Sequence, residues 1–386
     1  MNFQQQLRIP GPAPLPERVV RAASKPMIDH RGPEFAALLE DIVSGIKRVY
    51  ETGNDLILLT SSGSGGMESA VANLVSPGDE VVCCVGGNFG ERFAGMAEAY
   101  GARLIRLEAE WGQPVDPADL AAVLEAHPDA RVVFMTHNET STTIANPVQE
   151  LAAVVRRYDR ISVVDGVSSI ASMPIGVDRN GIDVAVGASQ KGWMAPPGLA
   201  FVSVSERAWQ QSRRARGPRF YLDWAMIGSS MQEGSTPFTP AISVCYGLQE
   251  GLHMLEEEGL SEVYRRHRRL ADATAAGLQA MGFGLFAAEG YRSPVVTGGL
   301  PMPGLDVNGY RKLLREKYGL VIGGGQGKMT GKMFRIGHLG FVSDGDVVQI
   351  LWTMERALED MDVAPYEGRG LAGAARFLSE EAVTVG

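Results

Sequence analysis

Short apolar segments alternate with stretches of helical periodicity from Leu56 onward, and no other feature of the sequence restricts its fold as strongly. Several of these segments are apolar without alternation, as in strands that are covered on both faces. The pattern predicts an α/β domain with a mostly parallel seven-stranded sheet between helices. The predicted strands are Leu56–Leu59, Glu80–Val85, Arg103–Leu107, Arg131–Thr136, Ile161–Asp165, Asp183–Gly187 and Leu199–Val204.

Helices are predicted between these strands, and the pattern changes after about Ser243. Apolar residues at helical spacing predict helices over Met67–Leu74, Pro117–Glu125 and Pro147–Arg157. Long amphipathic helices and a few short strands then indicate a smaller α+β domain. No linker of low complexity divides the chain. We therefore expect an N-terminal arm over residues 1–14, a large domain over 15–250 and a small C-terminal domain over 251–386.

Composition excludes several classes of protein. The formal net charge of -9 disfavours a nucleic-acid partner despite two local arginine runs. The N-terminal segment has no apolar core of a signal peptide, and no apolar run approaches membrane-spanning length. The three cysteines favour reduced core residues, so we expect a cytoplasmic protein without a membrane partner. The six histidines lack the spacing of metal ligands, and no metal site is expected.

A Gly/Ser-rich turn follows the first predicted strand and leads into a helix. Ser62-Gly63-Ser64-Gly65-Gly66 would present backbone N–H groups and hydroxyls to an anion at the helix N-terminus. The run lacks the Gly-Lys-Ser/Thr ending of a nucleotide-binding loop, so a phosphate group without a nucleotide is favoured. An ordinary tight turn is the alternative reading of this segment alone.

Two charged residues follow later predicted strands, where ligands bind in such sheets. Asp165 ends an apolar strand, and its carboxylate would suit the protonated nitrogen of a pyridine ring; a helix cap is the alternative. Lys191 lies in an apolar segment, where burial favours the neutral amine that a Schiff base needs; a surface lysine is the alternative. In combination with the glycine loop, they predict a pyridoxal 5'-phosphate site that uses Lys191.

Other side chains complete this predicted site. Phe89 follows a strand end and could stack on a planar cofactor, with Val167 on the opposite face. Arg335 lies in an otherwise apolar run of the predicted small domain, and its planar guanidinium suits a substrate carboxylate. His30 and His338 are the histidines that we expect nearest to the rim of the pocket.

These residues and their neighbours resemble a known family. The chain looks like a fold-type I, class V aminotransferase of the alanine–glyoxylate and serine–pyruvate group, from Pro10-Gly11-Pro12 to Arg335-Ile336-Gly337. The other specific matches are Ser62-Gly63-Ser64-Gly65, Thr136-His137-Asn138-Glu139-Thr140-Ser141-Thr142, Val164-Asp165, Ser189-Gln190-Lys191, Ala195-Pro196-Pro197-Gly198 and Phe220-Tyr221-Leu222-Asp223.

The resemblance implies a role for each matched residue. It implies that Lys191 forms the Schiff base, that Asp165 pairs with the pyridine nitrogen and that Arg335 and Gly11 lie at the substrate, with the N-terminal arm at the active site. It also implies a homodimer with shared active sites. The residues implied to contact the cofactor's phosphate or ring are Ser64, Gly65, Gly66, Phe89, Ser141, Val167, Gln190 and, from the partner subunit, Thr239.

The activity implied is ping-pong transfer of an amino group from alanine or serine to glyoxylate or pyruvate. Asn138 and Thr143 stand where the alanine–glyoxylate enzymes tend to have glycine, and His338 replaces a plain apolar residue. An aspartate-using aminotransferase of the same class therefore stays open as an alternative. A lyase or desulfurase of the same fold, and a binding protein without catalysis, are further alternatives.

Overall fold

A computed structural model describes residues 5–378 of the chain. Its helices are α1 (Glu17–Ala23), α2 (Pro33–Tyr50), α3 (Gly63–Leu74), α4 (Asn88–Ala99), α5 (Pro117–Ala126), α6 (Val148–Arg157), α7 (Glu206–Arg214), α8 (Trp224–Gln232), α9 (Ile242–Glu258), α10 (Leu260–Ala280), α11 (Val307–Tyr318), α12 (Asp344–Asp360) and α13 (Arg369–Leu378). Its strands are β1 (Gln6–Arg8), β2 (Asp55–Thr60), β3 (Glu80–Val85), β4 (Arg103–Glu108), β5 (Val132–Thr136), β6 (Asn138–Glu139), β7 (Ile144–Ala145), β8 (Ile161–Asp165), β9 (Val184–Ala188), β10 (Leu199–Val204), β11 (Gly284–Leu285), β12 (Val296–Leu300), β13 (Leu320–Gly324) and β14 (Phe334–Gly337).

The predicted seven-stranded sheet is confirmed. Its strand order is β2-β10-β9-β8-β5-β3-β4, and the neighbours from β9 to β4 pair in parallel. Only β10 runs antiparallel to both of its neighbours. All seven predicted strands occur within about a residue of their expected ends. Because the parallel strands share one direction, the residues that follow β3, β5, β8 and β9 meet at one edge of the sheet.

Helices cover both faces of this sheet. One apolar cluster contains α2, α5, α6 and α9 with one face of the strands, and the other contains α3, α4 and α8 with the opposite face. Trp193, Trp224 and Phe201 are among the largest fully buried side chains, and each such burial contributes about 1.5–3 kcal/mol to stability. The three cysteines are free and buried, as predicted.

Helix α3 begins four residues earlier than the sequence pattern predicted. Apolar periodicity starts at Met67, whereas the helix starts at Gly63. The Ser62 hydroxyl caps it by accepting a hydrogen bond from the Gly65 N–H at 3.4 Å. A Cβ on Gly66 would lie 2.8 Å from Cγ1 of Val186 on β9, so glycine lets this first turn pack directly on the sheet.

The C-terminal part contains a second sheet, with the order β1-β13-β14-β12-β11. Its α+β composition agrees with the predicted one, and α10, α11 and α12 supply most of the apolar cover. Strand β1 comes from the N-terminal segment and pairs in parallel with β13, which the sequence did not predict. The domain boundaries at 14/15 and 250/251 stay predictions, and residues 1–4 and 379–386 of those ranges lie outside the described part. No described helix is long and apolar enough to cross a membrane.

Candidate active site

The N-terminus of α3 forms a narrow polar turn at the edge of the sheet. A Cβ on Gly65 would lie 2.8 Å from Cβ of Ser61, and one on Gly63 would lie 2.9 Å from the methyl groups of Val167. Ser64 is half-buried, and its hydroxyl accepts a hydrogen bond from Nη1 of Arg92 at 2.8 Å. The predicted phosphate loop is therefore a helix N-terminus in which close packing requires glycine. The Gly65 and Gly66 N–H groups donate to the hydroxyl and the carbonyl oxygen of Ser62, which leaves the N–H groups of Gly63 and Ser64, without a partner among residues 5–378, available to an anion.

Helix α4 begins next to this turn and carries the predicted stacking residue. Phe89 is half-buried in the first turn of α4. The guanidinium carbon of Arg92, three residues further along the helix, lies 4.7 Å from the centre of the Phe89 ring. This distance is that of a cation–π contact.

Asp165 ends β8 in a buried position, 4% exposed. Its Oδ1 accepts a hydrogen bond from the Val167 N–H at 2.9 Å. Its Oδ2 has no hydrogen-bond partner among residues 5–378. Burial raises the pKa of this carboxyl group to about 6, although the Val167 N–H and the charge of Lys191 act in the opposite direction. A carboxyl group with these properties would gain from a cationic partner.

Lys191 lies just beyond β9, and the N-terminal segment crosses its amine. Nζ donates a hydrogen bond to the Pro10 carbonyl oxygen at 2.6 Å. A Cβ on Gly11, whose φ is +127°, would lie 2.3 Å from Nζ, so only glycine fits here. Burial, with the charges of Arg335 and Arg92, lowers the pKa of Lys191 to about 8 against the opposing effect of Asp165. A larger fraction of this amine is neutral near pH 7 than for an exposed lysine.

Arg335 is on β14, 5% exposed, and reaches the segment between β6 and β7. Nε donates to the Gly324 carbonyl oxygen and Nη1 to the Thr140 carbonyl oxygen, each at 2.8 Å. Nη2 makes no hydrogen bond within the described residues. Burial lowers the pKa of Arg335 to about 10, so the guanidinium stays charged at neutral pH. One nitrogen of a fixed cation is left for a ligand.

Glu139 is a central residue of this site that sequence reasoning gave no role. Its carboxylate is 1% exposed. Oε2 accepts hydrogen bonds from the Phe89 N–H at 2.9 Å and the Gly90 N–H at 3.1 Å, while Oε1 accepts from the hydroxyl of Ser141 at 2.5 Å. Glu139 thus caps the N-terminus of α4. The sequence did contain a signal for this role: Glu139 is an acidic residue in the segment after β5, and a buried carboxylate requires hydrogen-bond donors.

The remaining predicted residues are placed less centrally. Gln190 is half-buried, and its Oε1 is buried without a partner among the described residues. Ser141 is hydrogen-bonded to Glu139 and accepts from the Asn88 N–H at 2.9 Å. Thr239 is exposed. His338 was expected near the pocket rim, which is wrong: it is 0% exposed, and its Nε2 lies 2.8 Å from the Thr297 hydroxyl.

Thr143 occupies a strained backbone position. Its φ is +59°, in the left-handed region that favours glycine, and the side chain is buried. Asn138, at the other position where glycine is usual, donates from Nδ2 to the Ser168 hydroxyl at 2.9 Å. Both departures from the family pattern are accommodated within the segment that holds Glu139 and Thr140.

The sequence matches the family model described as "Aminotransferase class-V" over residues 8–338. The chain belongs to the class V aminotransferases. That family and the fold make it a pyridoxal-phosphate-dependent transaminase. The predicted family, fold and cofactor are therefore confirmed.

Several individual proteins are similar along almost the whole chain. A protein of Synechococcus sp. (strain PCC 6716) named as the small subunit of a soluble hydrogenase is 38% identical over 98% of this chain and 100% of its own. The L-aspartate–glyoxylate aminotransferase of Paracoccus denitrificans (strain Pd 1222) is 36% identical over 97% and 96%. The serine–glyoxylate aminotransferase of Methylorubrum extorquens is 33% identical over 98% and 96%. The crystal structure of ureidoglycine–glyoxylate aminotransferase from Bacillus subtilis superimposes with a TM-score of 0.91 at 29% identity, over 98% of this chain and 99% of its own.

The residues at the sheet edge fit pyridoxal phosphate. The first turn of α3 offers N–H groups to a phosphate, and a Cβ at Gly65 would lie 2.8 Å from Cβ of Ser61, so glycine keeps this turn narrow. The Oδ2 atom of Asp165 is available to a ring nitrogen, and Oε1 of Gln190 lacks a donor. The amine of Lys191 has a lowered pKa. No second site is needed to account for these features.

Proposed function

We propose that this chain transfers the amino group of a small amino acid, alanine or serine, to glyoxylate or pyruvate by a ping-pong mechanism. The observation that carries the proposal is that Lys191 and Arg335 approach the same N-terminal segment. Nζ of Lys191 donates to the Pro10 carbonyl oxygen, and a Cβ on Gly323, which pairs with Arg335, would lie 3.0 Å from Cδ of Pro10. The charge of Arg335 contributes to the lowered pKa of Lys191, so the two cationic side chains lie within electrostatic range. A reactive amine close to a fixed guanidinium suits a substrate that carries an α-carboxylate.

Four side chains carry the proposed chemistry. Arg335 binds the α-carboxylate through Nη2 and directs the Cα–H bond toward the amine of Lys191. The neutral amine of Lys191 would take the proton from Cα and deliver it to the C4′ carbon of the cofactor, on the other side of the amino nitrogen. When bound, the cofactor supplies a conjugated ring that accepts the electron pair left at Cα. Asp165 would keep the ring nitrogen protonated, and the Phe89 side chain would pack against the ring.

Glyoxylate is the first choice of acceptor, because the names of three relatives that differ in their amino donor all include glyoxylate. Serine–glyoxylate, aspartate–glyoxylate and ureidoglycine–glyoxylate aminotransferases all resemble this chain over 96% or more of their own length. A two-carbon acceptor needs only the carboxylate contact of Arg335, whereas donors differ in side chain. Among related enzymes, the acceptor should therefore vary less than the amino donor.

Aspartate is the second candidate for the donor. The aspartate–glyoxylate relative is 36% identical, slightly more than the serine–glyoxylate relative at 33%. A cysteine-dependent desulfurase has no such support, because all three cysteines are buried and burial raises the pKa of Cys84 and of Cys245 to about 12. A thiol in this state is a poor nucleophile.

The proposal includes a homodimer in which Thr239 reaches the partner's site. Thr239 is exposed, and the nearby side chains of Phe220 and Tyr221 are 71% and 44% exposed. The rings of Tyr221 and Phe238 are stacked with centres 4.8 Å apart. An exposed aromatic group of this kind supports a subunit contact.

The test is to add alanine, serine, aspartate and glutamate separately to the holoenzyme without an acceptor and to follow the visible cofactor band. Fast bleaching by alanine or serine, reversed by glyoxylate, supports the proposal. Fast bleaching by aspartate alone selects the second candidate. Bleaching that no 2-oxo acid reverses would exclude transamination of these donors.

A further inference from the structure

The proposed phosphate site lacks a positive charge. The residues assigned to it, namely Ser64, Gly65, Gly66, Gln190 and Thr239, are all uncharged. A phosphate monoester carries between one and two negative charges at neutral pH. A helix N-terminus contributes only about half an elementary charge. A cation within reach of the Ser64 hydroxyl would complete the site.

Arg92 is such a cation. Its Nη1 donates to the Ser64 hydroxyl at 2.8 Å, and Ser64 lies in the first turn of α3. Arg92 makes no ion pair with a carboxylate among residues 5–378, whereas its neighbour Glu91 pairs with Arg106 at 2.6 Å. A guanidinium that is free of acidic partners and reaches a phosphate loop can form bidentate hydrogen bonds to phosphate oxygens.

Arg92 is exposed, and its guanidinium lies against the Phe89 ring. The guanidinium carbon lies 4.7 Å from the centre of the Phe89 ring. The first turn of α4, which carries both residues, is held by the hydrogen bonds from Phe89 and Gly90 to Glu139. The charge of Arg92 also affects the pKa of Asp165 and of Lys191, so it lies close to the catalytic groups. Arg92 is therefore presented to the site by a capped helix.

We propose that Arg92 binds the phosphate group of pyridoxal phosphate and supplies the positive charge that the glycine loop lacks. The proposal rests on the assignment of the Ser64 turn to the phosphate. Two other roles are possible for a cation here: it could only support the Phe89 ring, or it could bind a substrate carboxylate. Each of the three roles predicts a different effect of Arg92 substitutions on the affinities for pyridoxal phosphate and for pyridoxal.

The experiment compares pyridoxal phosphate with pyridoxal, which lacks the phosphate group. Full-length wild-type protein, Arg92→Gln and Arg92→Lys are stripped of cofactor, and the dissociation constant for each compound is measured from the visible band. Arg92→Gln should bind pyridoxal phosphate about 10- to 100-fold more weakly, because a charged hydrogen bond is lost. Its affinity for pyridoxal should change by less than about threefold. Arg92→Lys should restore part of the difference, since it keeps the charge.

Added salt gives a second measurement and Arg106→Gln a matched control. Salt should weaken pyridoxal phosphate binding by the wild type more than by Arg92→Gln. Arg106 pairs with Glu91 and Glu108 outside the site, so its variant should bind both compounds as the wild type does. Equal loss of affinity for both compounds in Arg92→Gln would assign Arg92 to the ring and overturn the proposal. Unchanged affinity for both would overturn it as well. A wild type that binds neither compound would instead refute the proposed function.

Discussion

The surroundings of Lys191 have opposing effects on the pKa of its amine. Its amine is desolvated and lies near the guanidinium of Arg335, and both effects lower its pKa, while the carboxylate of Asp165 raises it. The result, about 8, leaves the amine partly neutral at neutral pH. The sequence predicted this lysine from its apolar neighbours. It did not predict the Pro10 carbonyl oxygen that accepts a hydrogen bond from this amine, because that contact joins residues 181 positions apart.

The reaction of Lys191 with the cofactor should depend on pH. Only the neutral amine attacks an aldehyde, so the attachment rate should rise with pH and level off above about 8. The lowered pKa of Lys191 also makes the stability of the fold depend on pH. The unfolded state binds the additional proton between about 8 and 10.5, so the free energy of unfolding of cofactor-free protein should rise with pH there. Stopped-flow absorbance checks the first expectation; a rate that keeps rising to pH near 10.5 would contradict it.

Gly11→Ala tests the contact between the arm and Lys191. The new Cβ would lie 2.3 Å from Nζ at a φ of +127°, so either the arm or the lysine must move. We expect attachment of the cofactor to slow by about tenfold or more. Gly290→Ala is the matched control, because Gly290 also has a positive φ, +85°, but nothing lies within 4 Å of the added Cβ. Equal effects of the two variants would attribute the loss to backbone strain alone.

Helix α4 shows which features of an element sequence reasoning recovers. The strand before it and the aromatic in its first turn were predicted from local composition. Its cap was not, because Glu139 follows β5 and reaches α4 through space, 50 residues from Phe89. The start of α3 was missed for a related reason: glycines carry no apolar periodicity, although they form its first turn. Local patterns locate elements, whereas their ends depend on contacts from elsewhere in the chain.

Glu139→Gln should loosen the first turn of α4. The amide keeps the size of the side chain but loses the negative charge that accepts the Phe89 and Gly90 N–H groups. We expect a loss of about 1.5–3 kcal/mol in the free energy of unfolding and a shift of the visible cofactor band. Urea unfolding and absorbance spectra of the holoenzyme measure these effects.

Glu91→Gln is the control for this prediction. Glu91 lies in the first turn of α4, which Glu139 caps, but its side chain is 41% exposed and pairs with Arg106. It should cost no more than about 1 kcal/mol. A band shift in Glu91→Gln as large as that in Glu139→Gln would contradict a specific role for Glu139.

At the scale of the whole molecule, the N-terminal segment links the two sheets. Strand β1 pairs with β13 of the small sheet, and two residues after Arg8 the chain reaches Lys191 at the edge of the large one. Arg8 is 7% exposed and contacts Asp346 at the start of α12. Arg335 makes a second link through the Thr140 carbonyl oxygen. Such long-range pairings have no local signal, which explains why the sequence placed the arm at the site but not in a sheet.

Asp346→Asn should therefore destabilise the fold and disturb the site. It removes the partner of a buried guanidinium, for which we expect a loss of about 2–3 kcal/mol, and it weakens the anchor of the arm that ends over Lys191. Urea unfolding and the rate of cofactor attachment report on the two effects. Asp360→Asn is the control on the same helix, because Asp360 pairs with Lys317, whose side chain is 53% exposed, and the loss of an exposed ion pair should leave the free energy of unfolding nearly unchanged. Equal losses in the two variants would show that the arm is not anchored through Arg8.

The assignment of Lys191 as the cofactor-binding residue is tested most directly by trapping the cofactor on the protein. Holoenzyme is reduced with borohydride and digested, and the modified peptide is sequenced by mass spectrometry. The account predicts the reduced pyridoxyl group on Lys191, and no such peptide from Lys191→Ala treated in the same way. Modification of another lysine, or no modified peptide from protein that shows the visible band, would contradict it.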